Sequence, residues 1–220
     1  MSLLRQVISG ATLRVRSLED WWFDWTRHVK TGGDPVPHRA TDTLGPARDG
    51  HVYGPARAHN VRSAIKALPL SNPADYTFID LGSGKGRVLF LAAETPFRGV
   101  VGVEYSAAMH KQAVTNLHAL RRRPRAKIDL LHADAATFEF PPGNLVIYMF
   151  NPFGPEVMSC VLRNLERAIR DLPRHVVVVM LYPELGSMVA ASPELRPFAH
   201  TRRFEIYEGG QRPAQAQHTA

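Results

Sequence analysis

The stretch Phe78-Ile79-Asp80-Leu81-Gly82-Ser83-Gly84-Lys85-Gly86-Arg87 decides the fold. An apolar run carrying one acid gives way to three glycines at alternate positions, and a helix-like segment follows. A strand that enters a tight turn and then a helix presents unpaired backbone amides at the turn, and missing side chains let a ligand come close. By these residues alone the turn is a nucleotide-binding loop of open type. A Walker motif requires Gly-x-x-x-x-Gly-Lys-Ser/Thr, but Lys85 is followed by Gly86 and Arg87, with no hydroxyl placed for magnesium. The dinucleotide fingerprint wants a third glycine three places after the second, where Arg87 stands and only Gly86 offers a shifted substitute.

Outward from this turn, short apolar runs alternate with helix-like segments. The pattern predicts strands over Tyr76–Leu81, Val100–Glu104, Ile128–His132, Leu145–Phe150 and Val176–Leu181, with helices over Arg87–Glu94, Ala107–Leu120 and Pro155–Asp171. The fold class is therefore α/β: a Rossmann-like, doubly wound, mostly parallel sheet with an N-terminal helical and loop extension. Upstream, Thr31–Ala58 is rich in Gly, Pro, His and Arg and predicts a long loop, followed by a helix over Ala58–Leu68. Downstream come a short helix around Leu185–Ala191, a last strand in Arg202–Tyr207 and a polar end, Gly209–Ala220, expected to fray. The expected division is an extension and lid over 1–75, the sheet domain over 76–208 and a flexible tail over 209–220.

Two further acids extend the site. Glu104 ends the second strand 18 residues after Gly86, where a carboxylate can accept both hydroxyls of a ribose. Asp134 follows the third strand and can accept from an adenine amino group.

The chain has 220 residues with 45% hydrophobic and 21% charged content, which supports a packed core and excludes fibrous and low-complexity classes. Its formal charge of +7 suits an anionic partner without proving one. Cys160 is the sole cysteine, so no intrachain disulfide or cysteine-based zinc site can form, and a reducing, cytoplasmic setting is expected. The ten histidines show no zinc-protease spacing, and no metal site is expected. Apolar runs fall far short of a membrane span. All three tryptophans lie at Trp21, Trp22 and Trp25, a segment expected to pack on the domain or on a second subunit, with a membrane-surface or substrate-docking role as the alternative. Arg121-Arg122-Arg123-Pro124-Arg125-Ala126-Lys127, the densest basic run, is expected to be a solvated helix end without interleaved aromatics.

Asp80-Leu81-Gly82-Ser83-Gly84-Lys85-Gly86-Arg87, Gly102-Val103-Glu104, Asp134-Ala135 and Asn151-Pro152-Phe153-Gly154 together resemble the class I S-adenosylmethionine-dependent methyltransferases. The resemblance spans roughly Tyr53 to Tyr182 and implies a seven-stranded sheet with an antiparallel last strand. Little chain remains after Phe204, so a shortened C-terminal hairpin is expected. The implied cofactor is S-adenosylmethionine, held by Asp80, Gly82, Ser83, Gly84, Gly86, Glu104, Tyr105, Asp134, Ala135 and Asn151. Two blocks, Asp80-Leu81-Gly82-Ser83-Gly84 and Phe153-Gly154-Pro155-Glu156-Val157, with Tyr53-Gly54 upstream, are similar to the non-SET histone lysine methyltransferases. That family has paired asparagines where this chain has Phe150-Asn151-Pro152.

At the carboxyl edge of the fourth strand, Asn151, Pro152 and Phe153 are expected to face the acceptor, with Tyr53 closing from upstream. Asn151 can alternatively be a turn residue and Phe153 a core aromatic. The expected reaction is N-methylation of a protein side chain, lysine among them, or of a small molecule. RNA or DNA methylation and non-catalytic binding of an adenosine ligand are the alternatives.

Overall fold

The computed structural model describes residues 18–19, 21–32, 54–121 and 123–213. Seven strands form one sheet: β1 (Tyr76–Leu81), β2 (Gly99–Glu104), β3 (Ile128–His132), β4 (Asn144–Met149), β5 (His175–Leu181), β6 (Leu195–His200) and β7 (Phe204–Gly210). Their order is β3-β2-β1-β4-β5-β7-β6, with every pair parallel except β5–β7 and β6–β7. The order reverses between β1 and β4, where the chain crosses from one half of the sheet to the other. Ligands of open α/β sheets bind beyond the carboxyl ends of the strands at such a point.

The central strands are buried on both faces and divide their side chains by the period of two. Tyr76, Phe78, Val146, Tyr148, Val177 and Val179 pack on one face, beneath α2 (Ala58–Lys66) and α3 (Arg87–Ala92). Ile79, Leu145, Ile147, Val176, Val178 and Met180 pack on the other, against α5 (Pro155–Asp171) and α6 (Gly186–Ala190). Helix α4 (Ala107–Ala119) covers β2 and β3. Helix α5 starts on Pro155, whose missing N–H costs nothing in a first turn. It buries Met158, Val161, Leu162, Leu165 and Ile169. Val157 and Cys160 lie at the margin of this stripe, half-buried.

The C-terminal hairpin is complete, not shortened. Strand β7 runs on through Gly209 and Gly210, opposite Val176 and His175, so the sheet continues past the expected boundary at residue 208. Strand β6 escaped the sequence reading because Pro197 interrupts it. A proline is tolerated on an edge strand at a bulge, and the β6–β7 register shifts between Pro197 and Ala199. A short helical segment, α1 (residues 21–27), and the residues just after it seat Phe23 and Val29 in the core, while residues 33–53, most of the expected loop, lie outside the described residues.

His175 sits almost fully buried at the start of β5, with Nδ1 2.8 Å from the Tyr76 hydroxyl and Nε2 3.0 Å from Glu208. Burial pushes Tyr76 up to about 12, so its hydroxyl donates to Nδ1. The same burial holds the imidazole below its ordinary value, against the opposing pull of Glu208. A histidine neutral in the fold and protonated in the unfolded chain withdraws stability as pH falls below its ordinary value near 6.5. Chemical denaturation from pH 8 to 5 should therefore show a decline of up to about 1.4 kcal/mol per pH unit below that point, and His175→Gln should flatten it.

Candidate active site

The turn after β1 is fixed from two sides. The amides of Gly82 and Ser83 donate to the carbonyl of Val103 at 2.9 and 3.1 Å, which ties the turn to β2. On the other side Pro152, just past β4, lies so close that a Cβ on Gly82 would stand 2.2 Å from its Cβ. Gly82, Gly84 and Gly86 have φ of 82°, 54° and 91°, the left-handed region that side chains disfavour. Gly86 then caps α3. The three glycines are required by geometry, as the sequence indicated.

Glu104 is nearly buried at the end of β2, and two backbone donors hold its carboxylate. Oε2 accepts from the Gly84 amide at 2.7 Å and Oε1 from the Ser106 amide at 2.8 Å. Each oxygen can accept a second hydrogen bond, so the plane is set for a pair of hydroxyls such as those of a ribose. Asp134 is half-exposed; its Oδ1 accepts from the Ala136 amide at 2.8 Å and caps the turn that contains Ala135. Tyr105 offers its carbonyl to His132 Nε2 at 3.1 Å. His132 stacks on His110 at 5.6 Å, so two rings missed in the sequence reading lie beside this edge.

Asp80 is buried next to Tyr148 in the β1–β4 register. Burial, then the neighbouring Glu104, raises its carboxyl well above the usual range. The Tyr148 hydroxyl and Asn60 Oδ1 are buried without a hydrogen-bond partner among the described residues. An acid that resists ionising, with uncompensated polar atoms nearby, is a cradle for a cationic ligand.

The acceptor-side residues divide. Asn151 has φ 41° and spends its amide on the ends of neighbouring elements: Nδ2 donates to the Tyr182 carbonyl at 2.7 Å and Oδ1 accepts from the Glu184 amide at 3.1 Å. Its turn role is real, and one lone pair of Oδ1 remains for an acceptor. Phe153 is 6% exposed within the α5-side core, so it offers no open ring face to an acceptor. Tyr53 lies outside the described residues. Tyr182, unremarked in the sequence, is 41% exposed with φ 48°; its hydroxyl accepts from Asn60 Nδ2 at 2.9 Å and its ring lies 6.1 Å from Phe150. No local signal announces Tyr182 or Asn60, because they meet across 122 residues of chain.

Lys85 and Arg87 are buried. Arg87 Nε donates to Thr31 Oγ1 at 2.7 Å, its Nη2 lies 3.6 Å from Asp24, and its guanidinium covers the Phe23 ring. Lys85 Nζ donates to the Gly32 carbonyl at 3.2 Å. Buried Asn116 completes the joint, bonding Lys30 N and O and the Lys85 carbonyl. Each backbone group orphaned by its loss would cost about 1–3 kcal/mol. The N-terminal segment is thereby fastened to the glycine turn. A separate cavity of about 550 Å³, lined by Arg170, Arg174, His175, Glu208 and Arg212, opens at the opposite edge of the sheet, away from these acids.

A cofactor with a sulfonium and an ammonium fits this donor set, since Asp80, disfavoured as an anion by burial and by Glu104, gains from a positive charge placed beside it. Asp80 with the glycine turn would hold its methionine part, Glu104 the ribose and Asp134 the adenine. Bound there, S-adenosylmethionine supplies an activated methyl group on sulfur.

Gly82→Ala should abolish measurable S-adenosylmethionine binding by calorimetry, whereas Gly99→Ala, where a Cβ meets nothing within 4 Å, should leave it intact. Because a cation favours ionised Asp80, affinity should strengthen by up to about tenfold per pH unit as Asp80 titrates. Asp80→Asn should remove that slope.

Comparison with known proteins agrees. A family model described as a methyltransferase domain matches residues 78–171. Among solved structures, an RNA methyltransferase from Salinibacter ruber in complex with S-adenosyl-L-homocysteine is similar at 18% identity and TM-score 0.50, covering 74% of this chain and 97% of that one. The ribosomal protein L11 methylase from Lactobacillus delbrueckii subsp. bulgaricus is similar at 14% identity and TM-score 0.50, covering 76% and 84%. A predicted N6-adenine-specific DNA methylase from Listeria monocytogenes gives 14% identity and TM-score 0.52 over 72% of this chain and 52% of that one, about half its length. At such identities the likeness is one of fold. A search of curated proteins finds no match. No helix among the described residues is long and apolar enough to cross a membrane. The sheet order with its antiparallel seventh strand is the class I methyltransferase fold, and a methyltransferase domain, an S-adenosylmethionine-dependent transferase, is matched over residues 78–171.

Proposed function

We propose that the acceptor is an aliphatic amine, of the kind a lysine side chain or a small amine metabolite presents, and that the product is its N-methyl derivative. The observation that carries this reading is the composition of the rim beyond β4 and β5. Phe150 and Tyr182 place two aromatic rings there, beside the Asn151 amide oxygen, while the aromatic that could stack on a nucleobase, Phe153, is buried. Aromatic faces and amide oxygens favour a compact cationic or amine head, which one ring can cover without a base-sized slot. The reaction needs a free lone pair in line with the methyl group. The nitrogen therefore loses a proton to water before attack, and the protein contributes alignment and exclusion of solvent. In this reading Tyr182, held by Asn60 and by Asn151, sets the angle of approach.

Transfer of a tritiated methyl group to a host lysate, fractionated into protein, nucleic acid and small molecules, tests the proposal. Label should enter protein or small amines in an acid-stable form. Tyr182→Ala should lower kcat at least about tenfold with unchanged affinity for S-adenosylmethionine, as expected for a residue that orients only the acceptor. Label confined to nucleic acid would replace the amine reading with the nucleic-acid one.

A further inference from the structure

Helix α1 leaves an apolar stripe uncovered. Leu18, Trp21, Trp22 and Trp25 recur at the spacing of one helical face and are 65%, 58%, 59% and 59% exposed. The opposite face buries Phe23 and fastens to the glycine turn through Asp24 and the following Thr31, so the stripe points outward from a rigid mount. Trp21 stacks on Trp25 at 5.7 Å, and Trp22 meets Trp25 at 5.6 Å. Among the described residues no hydrogen bond ties the three indoles to the protein.

The basic run lies at the end of this stripe. His28, one turn beyond Trp25, contacts the Arg121 guanidinium at 3.2 Å, and the Arg121 amide donates to the Arg27 carbonyl at 3.1 Å. Arg121, Arg123 and Arg125 are exposed. The helix end that carries the aromatics thus meets the start of the arginine run through His28 and Arg27. The nearby acids are paired: Glu19 with His59 at 3.4 Å, Asp24 with Thr31 and Arg87, and the exposed Glu94 with Arg27 and Arg62. The sequence ahead of the stripe, residues 1–17, has Arg5, Arg14 and Arg16, no acid, and the apolar Leu3, Leu4, Val7, Ile8, Leu13 and Val15.

We propose that this face, the Leu18-Trp21-Trp22-Trp25 stripe with the Arg121–Arg125 loop beside it, docks the enzyme on an anionic lipid surface. Indoles combine an apolar body with a polar N–H and concentrate at the headgroup boundary, and arginines next to them meet anionic headgroups. Single-stranded nucleic acid fits less well. Base stacking needs open ring faces, and Trp21 and Trp25 lie parallel and cover each other's inner face.

Every tryptophan of the chain lies in this stripe, so native fluorescence reports on it alone. The full chain should co-sediment with mixed phosphatidylcholine–phosphatidylglycerol vesicles, with a blue-shifted emission, and should ignore pure phosphatidylcholine. Replacing Trp21, Trp22 and Trp25 by Ser should weaken partitioning at least about tenfold while thermal stability and S-adenosylmethionine binding persist, since the rings are exposed. Arg121→Glu with Arg123→Glu should weaken it roughly fivefold per residue and reduce its salt dependence. Absence of binding to the anionic vesicles at low salt would overturn the proposal, as would binding undiminished in the serine variant. Tryptophan-dependent binding of a uridine oligonucleotide, or a tryptophan-dependent dimer, without vesicle binding would overturn it in favour of RNA or of a second copy.

Discussion

The two hydrogen bonds that hold Glu104, from the amides of Gly84 and Ser106, are the constraint on which the rest of the site depends. They join the turn after β1 to the end of β2 through one buried carboxylate. Pro152 closes the same turn from β4, against a glycine that has room for nothing larger. The crossing point of the sheet thus becomes a rigid cradle whose acids are held apart from water. Burial of Asp80 beside Glu104 costs stability and raises its carboxyl well above the usual range. A cationic cofactor turns that cost into binding.

From this cradle, order propagates in two directions. Through Lys85, Arg87 and Asn116 it fixes residues 23–32, so a segment that precedes the sheet by some fifty residues becomes part of the cofactor turn's surroundings. Through Asn151 it fixes the ends of β4 and β5, where two non-glycine residues, Asn151 and Tyr182, both take positive φ and bond to each other. Strained backbone at that edge is consistent with a site whose shape matters more than its local stability. Two aromatic surfaces result, one small and at the acceptor rim, one large and outward on α1.

Much of this was legible in the chain because the informative features are local. The bounds of β1, β3 and α5 follow from apolar runs bordered by glycine, proline and acids, and the glycine turn announces the cradle. What escaped depends on distant partners or on rules with exceptions. Pro197 hid β6, since proline in a strand argues against it except at an edge bulge. Nothing local shows that Arg87 and Lys85 are buried, because their partners Thr31, Asp24 and Gly32 lie more than fifty residues upstream. Phe153 sits in a motif associated with acceptors, but the position just before α5 turns its ring into the core. The arginine run read as solvated and isolated from aromatics. The fold brings His28, one turn beyond Trp25, onto Arg121, which no window along the chain could reveal.

The most direct test of the central claim is a crystal structure with S-adenosyl-L-homocysteine bound. The ribose hydroxyls should lie within hydrogen-bonding distance of the Glu104 carboxylate, with the Gly84 and Ser106 amides still donating to it and the amino-acid part above Gly82–Gly86 beside Asp80. A ligand seated in the arginine-lined cavity at the opposite edge of the sheet, or a Glu104 turned away from the ribose, would contradict it.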